Sequence, residues 1–497
     1  MTFQRTWSRR FATSSVGGRD LSGVWDDQRR AAAERIEADL ADIDLVRVAF
    51  CDPHGLARSK TLSAQVFRHA LRHGVDVSPG PFLFDTGHAV AVDFHKDPGL
   101  GVPELAGAGD MIVLPDPLTF HLLPHRDPDR EPRTAWVLGD EYHRDGLPMP
   151  LSSRAVLRRV CEMYAERGLE PVVGLEVEWY LTRLLPGPPG NAGNGFGLQG
   201  EPPRVEAVDA GYQFNLDAYS DAVAPVVGPL VGMLTGLGLP LRTVEHESGP
   251  GQLEITFDPL PADEAADAML LFRTLTKQYC ARNGYHASFM ALPGLDGADP
   301  SGWHIHQSVI GPDGRNLFDE GGPEPSESGS CRAYTDGLLA AAAELCLLSV
   351  PTVNGYHRFD PSYSLSPTEV SCRYEDRTAL VRVLGGGEST HVETRLAEPC
   401  ANPYLAIAAQ LFAGLDGITG GDGPRAKHPA ALPGSLRAAL EAFRAGDRAE
   451  ALLGKPLATC LARLKESEAG RYEHWCSQQD DIPRPTSWEH REYFAVY

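Results

Sequence analysis

The amino-acid sequence predicts an α+β protein, with a small β-rich domain ahead of a larger domain built on a sheet. The main observation is that three strand-like segments each carry two polar side chains two residues apart, at 176/178, 304/306 and 393/395. On a strand, that spacing places both side chains on one face. The second observation is that residues 43–135 contain several strand patterns and little helix. We predict a flexible extension at 1–25, a first domain at 26–140 and a second domain at 141–497.

Composition and charge exclude several classes of protein. Of the 497 residues, 42% are hydrophobic, and no apolar run approaches the roughly 18–20 residues that a membrane helix needs. The formal net charge of −22 disfavours nucleic acid and anionic lipid as partners. The nine cysteines are scattered and lack a CxxC pair, which favours a reducing compartment and predicts a cytoplasmic protein. The basic start resembles a transit peptide, but it lacks an amphipathic run and is predicted to be disordered.

The first domain begins with a helix-forming stretch at 26–42, which has a weak apolar stripe. Residues 45–50 alternate like a strand, and Asp52-Pro53-His54-Gly55 is a turn sequence. Residues 82–84 and 111–114 are two further candidate strands. The Pro/Arg/Asp-rich run that ends at 133 is a candidate linker.

The second domain mixes strands with long helices. We predict strands at 170–181, at 253–257 and around 304–306, and helices at 152–168, 222–237, 261–283 and 333–348. A Gly/Pro-rich loop fills 186–203, and the chain after 402 is mostly helical.

The inward strand faces should bring together carboxylates, imidazoles and guanidiniums. The first two kinds are Glu176, Glu178, Glu247, Glu254, His304, His306 and Glu393, and the arginines are Arg358, Arg377, Arg382 and Arg395. Such oxygen-rich sets suit Mg²⁺ or Mn²⁺ better than zinc, and several carboxylates could hold two or three ions. The arginines would concentrate positive charge for phosphate and carboxylate groups. Metals and arginines in one pocket are what phosphoryl transfer from ATP requires.

Each pattern has a structural alternative. Glu-x-Glu alone is most often a solvated strand face, and His-x-His alone is a weak signal. The segment 247–254 could be a turn with charged flanks, and the arginines could lie on the surface. Their joint occurrence in this order favours a catalytic site.

Six motifs together resemble the glutamine synthetase superfamily over nearly the whole chain. They are Gly174-Leu-Glu-Val-Glu178, Glu247-Ser-Gly-Pro-Gly-Gln-Leu-Glu254, Ser301-Gly-Trp-His-Ile-His-Gln-Ser308, Asn354-Gly-Tyr-His-Arg358, Asp376-Arg-Thr-Ala-Leu-Val-Arg382 and Glu393-Thr-Arg-Leu-Ala-Glu-Pro-Cys-Ala-Asn-Pro-Tyr-Leu405. Phe84-Asp85-Thr86-Gly87 is similar to the family's amine loop, and Trp488-Glu489 with Tyr493-Phe494 resembles its closing segment. The resemblance implies an N-terminal β-grasp domain and a catalytic domain with a curved antiparallel sheet.

The resemblance also implies roles for the matching residues. Glu178, Glu247 and Glu254 would hold the metal at the glutamate γ-carboxylate, and Glu176, His304 and Glu393 the metal at the ATP phosphates. Glutamate would be bound by Gly302, Arg358 and Arg395, and Glu178 would also contact it. Arg377 and Arg382 would face the transferred phosphate, with Ser308 beside the nucleotide. His306 would assist near the acyl phosphate or simply fill the strand face. Asp85 would bind or deprotonate the amine in a neighbouring subunit, or merely form a turn.

The family phosphorylates the γ-carboxylate of glutamate, and an amine then displaces phosphate. Ammonia-using members carry a loop glutamate where this chain has Ser364, which predicts a larger, organic amine. Asp299-Pro300 replaces the usual Asn-Gly, which leaves the identity of the acid open. Three alternatives remain: a true glutamine synthetase, a ligase for another carboxylate, and a non-catalytic structural or regulatory relative. By resemblance we expect a homo-oligomer, a dodecamer of two stacked rings.

Overall fold

The computed structural model describes residues 20–124, 131–187, 200–319, 329–362, 365, 367, 369–420 and 431–497. The predictions for residues 1–19, for most of the linker and of the 186–203 loop, and for Ser364 lie outside these residues. The chain divides into two units, Met1–Leu83 with Val92–Ala155, and Phe84–Ala91 with Val156–Tyr497. The predicted division at residue 140 stays a prediction.

The first unit contains one mixed sheet. Its helices and strands are α1 (Asp27–Asp39), β1 (Leu45–Cys51), β2 (Ala57–Ser63), α2 (Ala64–His73), β3 (Val75–Val77), β4 (Met111–Pro115), β5 (His121–Leu122) and β6 (Thr134–Tyr142). The strand order is β2-β1-β6-β4-β3, with β5 also on β6. β1 and β6 are parallel and the other pairs are antiparallel, which agrees with the predicted β-grasp arrangement.

The strand predicted at 82–84 is wrong. Residues Gly80–Phe82 form a 3-10 turn, in which the Phe82 N–H donates to the Pro79 carbonyl. Prolines at 79 and 81 fix φ and remove the N–H donors that a strand ladder needs.

The second unit carries the large sheet and most of the helices. These elements are α3 (Ser153–Ala165, which begins in the first unit), β7 (Glu170–Leu184), β8 (Val205–Ala207), α4 (Asp217–Gly236), β9 (Leu241–His246), β10 (Gln252–Phe257), β11 (Leu260–Pro261), α5 (Ala262–Arg282), β12 (Tyr285–Ser288), β13 (Trp303–Ile310), α6 (Gly329–Ala341), α7 (Cys346–Ser349), β14 (Cys372–Tyr374), β15 (Val381–Leu384), β16 (His391–Ala397), α8 (Pro403–Thr419), α9 (Leu436–Ala445), α10 (Arg448–Leu453), α11 (Lys455–Cys476) and α12 (Ser487–Tyr493). The single helix predicted at 333–348 is instead two helices, α6 and α7. The α+β class is confirmed.

The long strand β7 is central to the second sheet, whose order is β14-β15-β16-β13-β7-β10-β9. From Pro171 to Leu181, every second residue of β7 is buried and apolar, including Leu175, Val177 and Trp179. This face packs with α5, where Phe272 meets Phe289 edge to face and Phe289 stacks on Trp179. Burying each large apolar side chain contributes about 1.5–3 kcal/mol. The opposite face of β7 is thereby held rigidly in place.

Within the described residues, no helix has the length and apolar character that crossing a membrane requires.

Close contact between α6 and α8 depends on glycine. A Cβ on Gly337 would lie 2.1 Å from the Ala413 carbonyl oxygen, and a Cβ on Gly414 would lie 2.1 Å from the Tyr334 ring. Backbone atoms cannot yield as a flexible side chain does, so the two helices could not keep this distance with alanine at 337.

We therefore expect Gly337→Ala to lower the free energy of unfolding by about 1–3 kcal/mol, the usual cost of overpacking. The matched control is Gly232→Ala in α4, where no heavy atom lies within 4 Å of the new Cβ. There the higher helix propensity of alanine should raise stability by about 0.5–1 kcal/mol. Urea unfolding of both variants measures the difference, and similar effects of the two substitutions would contradict the packing argument.

Candidate active site

Strand register brings the predicted polar pairs together on one face of the large sheet. β13 lies between β7 and β16, so His304 is opposite Glu176 and His306 is opposite Glu393. His304 Nδ1 lies 2.5 Å from Glu176 Oε1, and His306 Nε2 lies 3.1 Å from Glu176 Oε2. His304 Nδ1 is also 3.7 Å from Glu393 Oε1. The two-residue spacing therefore places both imidazoles within reach of both carboxylates.

Residues next to these polar groups give the strands their packing and their spacing. Ile305 is fully buried on the opposite face of β13. Gly174 faces His306 across the strand pair, and a Cβ on Gly174 would lie 3.2 Å from the His306 Cβ. Glycine at 174 thus gives the imidazole room to stand over the sheet.

Glu178 is held from three sides. Glu254 of β10 is directly opposite it, and the Gly302 N–H donates to Glu178 Oε2 at 2.8 Å. The Gln252 amide donates to the same oxygen at 3.3 Å, and His304 Nε2 lies 3.8 Å from Glu178 Oε1. These contacts fix the carboxylate while leaving its other oxygen directed at the histidine.

Gly302 allows a buried arginine to approach the metal-ligand candidates. A Cβ at 302 would lie 2.9 Å from Arg358 Nη2 and 3.0 Å from His304 Nε2. The Arg358 guanidinium is buried and donates to the carbonyls of Leu396 and Arg395 at 2.8 and 3.0 Å. Two predicted substrate-binding residues, Gly302 and Arg358, are therefore in contact.

Two arginines clasp Glu393, whose side chain is fully buried. Arg395 forms a short ion pair with Glu393 Oε1, and Arg382 Nη1 lies 3.1 Å from Oε2. The other side of Arg382 is held by Glu375 at 2.9 Å. β15 and β16 thus deliver both guanidiniums to the edge of the carboxylate cluster.

Burial, together with the crowding of like charges, raises the pKa of two carboxyls. Burial and the nearby Glu176, Glu178 and Glu247 raise the pKa of Glu254 to about 10. Burial and Glu178 raise the pKa of Glu247 to about 8. Burial also raises the pKa of Glu178 itself. Positive charge offsets these shifts only in part, from His304, Arg358 and Arg395 at Glu178 and from Arg377 at Glu247.

Two other carboxyls are compensated. Burial opposes ionisation of Glu176, but the charge and hydrogen bonds of His304 and His306 lower its pKa below the ordinary range. The same balance holds for Glu393, whose pKa is lowered by His304 and Arg395 despite burial. The protein therefore neutralises most of the charge of Glu176 and Glu393. A bound cation would do the same for Glu247 and Glu254.

The donor set fits divalent metal ions. Ligand atoms of Glu176, His306 and Glu393 lie within 4.8 Å of one another, and so do those of Glu176, Glu254 and His304. Carboxylate-rich sets with one imidazole match the oxygen preference of Mg²⁺ and Mn²⁺. The predicted division of the ligands between two ions stays a prediction.

A cavity of about 490 Å³ opens beside the cluster. Among the residues that line it are Glu176, His306 and Ser308, so the predicted nucleotide-side residue Ser308 faces the same space as the predicted metal ligand Glu176 and the predicted catalytic residue His306. Arg377 is exposed, and its charge partly opposes the raised pKa of Glu247.

Asp85 is not part of the cluster in the described chain. Its carboxylate accepts the backbone N–H groups of Gly87 and Ala89, the Ser467 hydroxyl at 2.7 Å and the Arg471 Nε–H at 2.8 Å. The turn-forming alternative therefore describes its local geometry, and a role at the amine stays a prediction.

Some functional contacts were missed by the sequence reasoning. Glu375 holds Arg382, and Gln252 holds Glu178; neither was assigned a role. The ring of His391 lies 5.2 Å from that of His306. Glu375 has a positive φ of 54°, which sequence patterns give no means to detect.

Comparison with known proteins defines the class. Residues 150–481 match the family described as "Glutamine synthetase, catalytic domain". The chain belongs to the glutamine synthetase family, and its class is that of ATP-dependent carbon–nitrogen ligases.

Within this family the chain is similar to γ-glutamyl amine ligases. It is 34% identical over 500 residues to γ-glutamylanilide synthase of Acinetobacter sp., covering 96% of this chain and 98% of that protein. It is 29% identical over 507 residues to γ-glutamylethanolamide synthetase GlnA4 of Streptomyces coelicolor, covering 97% and 99% of the two chains. The solved structure "GmaS/ADP complex-Conformation 1" aligns with a TM-score of 0.72 and 25% identity, covering 93% of this chain and 98% of that one. The resemblance inferred from the six motifs is confirmed.

Because the buried Glu254 carboxyl is crowded by other carboxylates, we expect removal of its charge to stabilise the metal-free protein. Glu254→Gln keeps the shape of the side chain but removes its charge, so the metal-free variant should melt a few degrees higher than wild type. Because the pKa of Glu254 is raised to about 10, wild type loses stability relative to the variant as pH rises from about 4.5 towards 10. Mg²⁺ or Mn²⁺ should stabilise wild type and stabilise the variant much less.

Thermal melts across pH, with and without metal, measure both effects. Glu206→Gln, at an exposed ion pair on β8, is the control and should change neither. A less stable metal-free E254Q protein at high pH would contradict the crowding argument.

Proposed function

We propose that this protein joins the γ-carboxylate of glutamate to an organic amine, using ATP and a γ-glutamyl phosphate intermediate. The observation that carries the proposal is the convergence of Glu176, Glu178, Glu254 and Glu393 with buried arginines on one sheet face. The full-length similarity to proteins named for anilide and ethanolamide synthesis supports an organic amine over ammonia.

The site would hold two or three Mg²⁺ or Mn²⁺ ions. Glu178, Glu247 and Glu254 would face the acid substrate, and Glu176, His304 and Glu393 the nucleotide phosphates. When bound, the ions neutralise the two anions that must approach each other in phosphoryl transfer. The raised pKa values of Glu247 and Glu254 support this assignment, because added positive charge would remove their mutual repulsion.

Arginines would bind the anionic groups. Among the described residues, the Nε–H groups of Arg382 and Arg395 are buried donors without a partner. A buried unpaired donor costs free energy, so these two donors suit anions: a carboxylate of glutamate at Arg395 and the transferred phosphoryl group at Arg382. Arg377, exposed near Glu247, would approach the same group from the solvent side. Arg358, beside Gly302, would hold a carboxylate of glutamate.

The nucleotide would occupy the 490 Å³ cavity that Ser308 and His306 line. The solved GmaS structure contains ADP, which supports a nucleotide in the corresponding cavity here. The contact with Glu176 holds the His306 imidazole beside this cavity, where it would stand near the transferred phosphoryl group.

The amine would be larger than ammonia because Ser364 removes the carboxylate that an ammonium ion would need. Asp85 would reach the amine in a neighbouring subunit, which requires it to exchange the Arg471 contact for a substrate contact. We further propose a homo-oligomer of two stacked rings, twelve subunits by analogy with the family, located in the cytoplasm.

Phosphate release from ATP and glutamate tests the proposal. With Mg²⁺ present, we expect strong stimulation by one organic amine in a panel that includes aniline and ethanolamine, and weak stimulation by ammonia. Preference for ammonia would favour a true glutamine synthetase. No turnover with glutamate, but turnover with another acid, would favour the alternative that Asp299-Pro300 suggests.

Alanine at either of two ligand positions should remove activity. Glu178→Ala and Glu393→Ala each delete a predicted metal ligand, so turnover should fall by at least about 10²-fold while the protein still assembles. Phosphate release and gel filtration of each variant provide the measurement. Normal turnover in either variant would contradict the metal assignment.

A further inference from the structure

The C-terminal helix α12 is a motif of the chain that the reaction leaves unexplained. It begins with a capping box, in which the Glu489 N–H donates to Thr486 Oγ1 and the Thr486 N–H donates to Glu489 Oε2 at 2.7 Å. Glu489 is fully buried, although only one of its oxygens is needed for the cap. The other oxygen therefore has a separate use.

Glu489 Oε1 binds two side chains from a distant segment. His357 Nε2 lies 2.6 Å from it, and the Asn354 amide donates to it at 3.1 Å. Asn354 is fully buried, and the His357 side chain is 11% exposed. A buried carboxylate with two donors on one oxygen is a strong, directional anchor.

The anchored segment is the 3-10 turn Asn354–Phe359, which carries Arg358. In a 3-10 helix, residues three apart lie one above the other, so Asn354 and His357 share the face that meets Glu489. Arg358 is the next residue and leaves the turn in a different direction, towards the carbonyls of Arg395 and Leu396 on β16. Glu489 therefore fixes the rotation of the turn, and the rotation sets the direction of the guanidinium.

The same anchor reaches the segment ahead of Gly302. The Asn354 side chain exchanges two hydrogen bonds with the backbone of Leu292, at 2.7 and 3.0 Å. On α12, His490 Nδ1 accepts the Gly294 N–H at 3.0 Å. Both segments on the acid-substrate side of the site are thus tied to α12.

We infer that Glu489 is a positioning residue that aims Arg358 at the carboxylate of the acid substrate through His357 and Asn354. This inference rests on the proposed function, since it assumes that Arg358 binds that carboxylate. Glu489 touches no reacting group itself. A misplacement of about 1 Å at a substrate-binding group is enough to reduce catalysis by about 10²-fold.

The test is a double-mutant cycle between Glu489→Gln and Arg358→Lys, with steady-state kinetics and calorimetric binding of glutamate. We expect E489Q to raise KM and Kd for glutamate by about tenfold, with KM for ATP changed less than about twofold. In the R358K background the same substitution should have almost no further effect, because its action passes through Arg358.

A control variant separates positioning from a general loss of stability. Glu344→Gln also removes a largely buried carboxylate, one that accepts the backbone N–H groups of Arg448 and Ala449. We expect it to lower the melting temperature and leave KM for glutamate unchanged. Additive effects of E489Q and R358K, or an equal rise of all KM values, would overturn the inference.

A second variant and the wild-type data separate failure of this inference from failure of the proposed function. If E489Q fails to fold, His357→Ala breaks the same contact from the turn side and should raise KM for glutamate selectively. If wild type binds and uses glutamate and neither variant changes its KM, the inference fails and the proposed function stands. If wild type neither binds nor uses glutamate, both fail.

Discussion

The candidate active site is shaped by the burial and mutual repulsion of carboxylates that the sheet places on one face. Glu176, Glu178 and Glu254 occupy adjacent positions of β7 and β10, and the apolar face of β7 prevents these strands from moving apart. Leaving charge buried without a partner costs several kcal/mol per ion. The protein offsets this cost more fully on one side, where histidines and arginines surround Glu176 and Glu393. On the other side, burial and mutual repulsion raise the pKa of Glu247 and Glu254, so protons or added cations would stabilise these carboxyls.

This asymmetry gives the two halves of the site different properties. The compensated half has fixed hydrogen bonds, such as those of His304 and His306 to Glu176, and it needs no ligand to hold its shape. The uncompensated half stores repulsion that a divalent cation would relieve. A divalent cation would therefore gain most binding energy around Glu247 and Glu254, the side of the site proposed to face the acid substrate.

Much of the site was predictable because strand periodicity is local. Two-residue spacing is enough to put His304 and His306 on one face, and the order of the motifs supplied the family. The failures have local causes as well: prolines at 79 and 81 convert an apolar run into a 3-10 turn. Strand β9 was not predicted from the sequence, because its side chains are mostly exposed and show no clear apolar alternation.

Other contacts could not be predicted from any window of sequence. Glu489 meets His357 across 132 residues, and Glu375, a non-glycine residue with a positive φ, pairs with Arg382. Asp85 is the opposite case. Its local motif resembles the family's amine loop, but its carboxylate accepts hydrogen bonds from Ser467 and Arg471 of this chain. Local pattern determines which face a side chain occupies, but tertiary packing determines its partners.

The contacts of α12 explain why a seven-residue helix at the end of the chain belongs to the scaffold of the site. Glu489 holds the turn that carries Arg358, and Glu492 binds Thr86 and Arg471, which in turn hold the loop of Asp85. Both glutamates are buried on the same short helix, so neither contact can shift without disturbing buried hydrogen bonds. The residue proposed to bind the acid and the loop proposed to meet the amine therefore share one rigid support. Because Asp85 is proposed to act in a neighbouring subunit, this support would link the acid-binding turn of one site to the amine loop that the same subunit contributes to the next site.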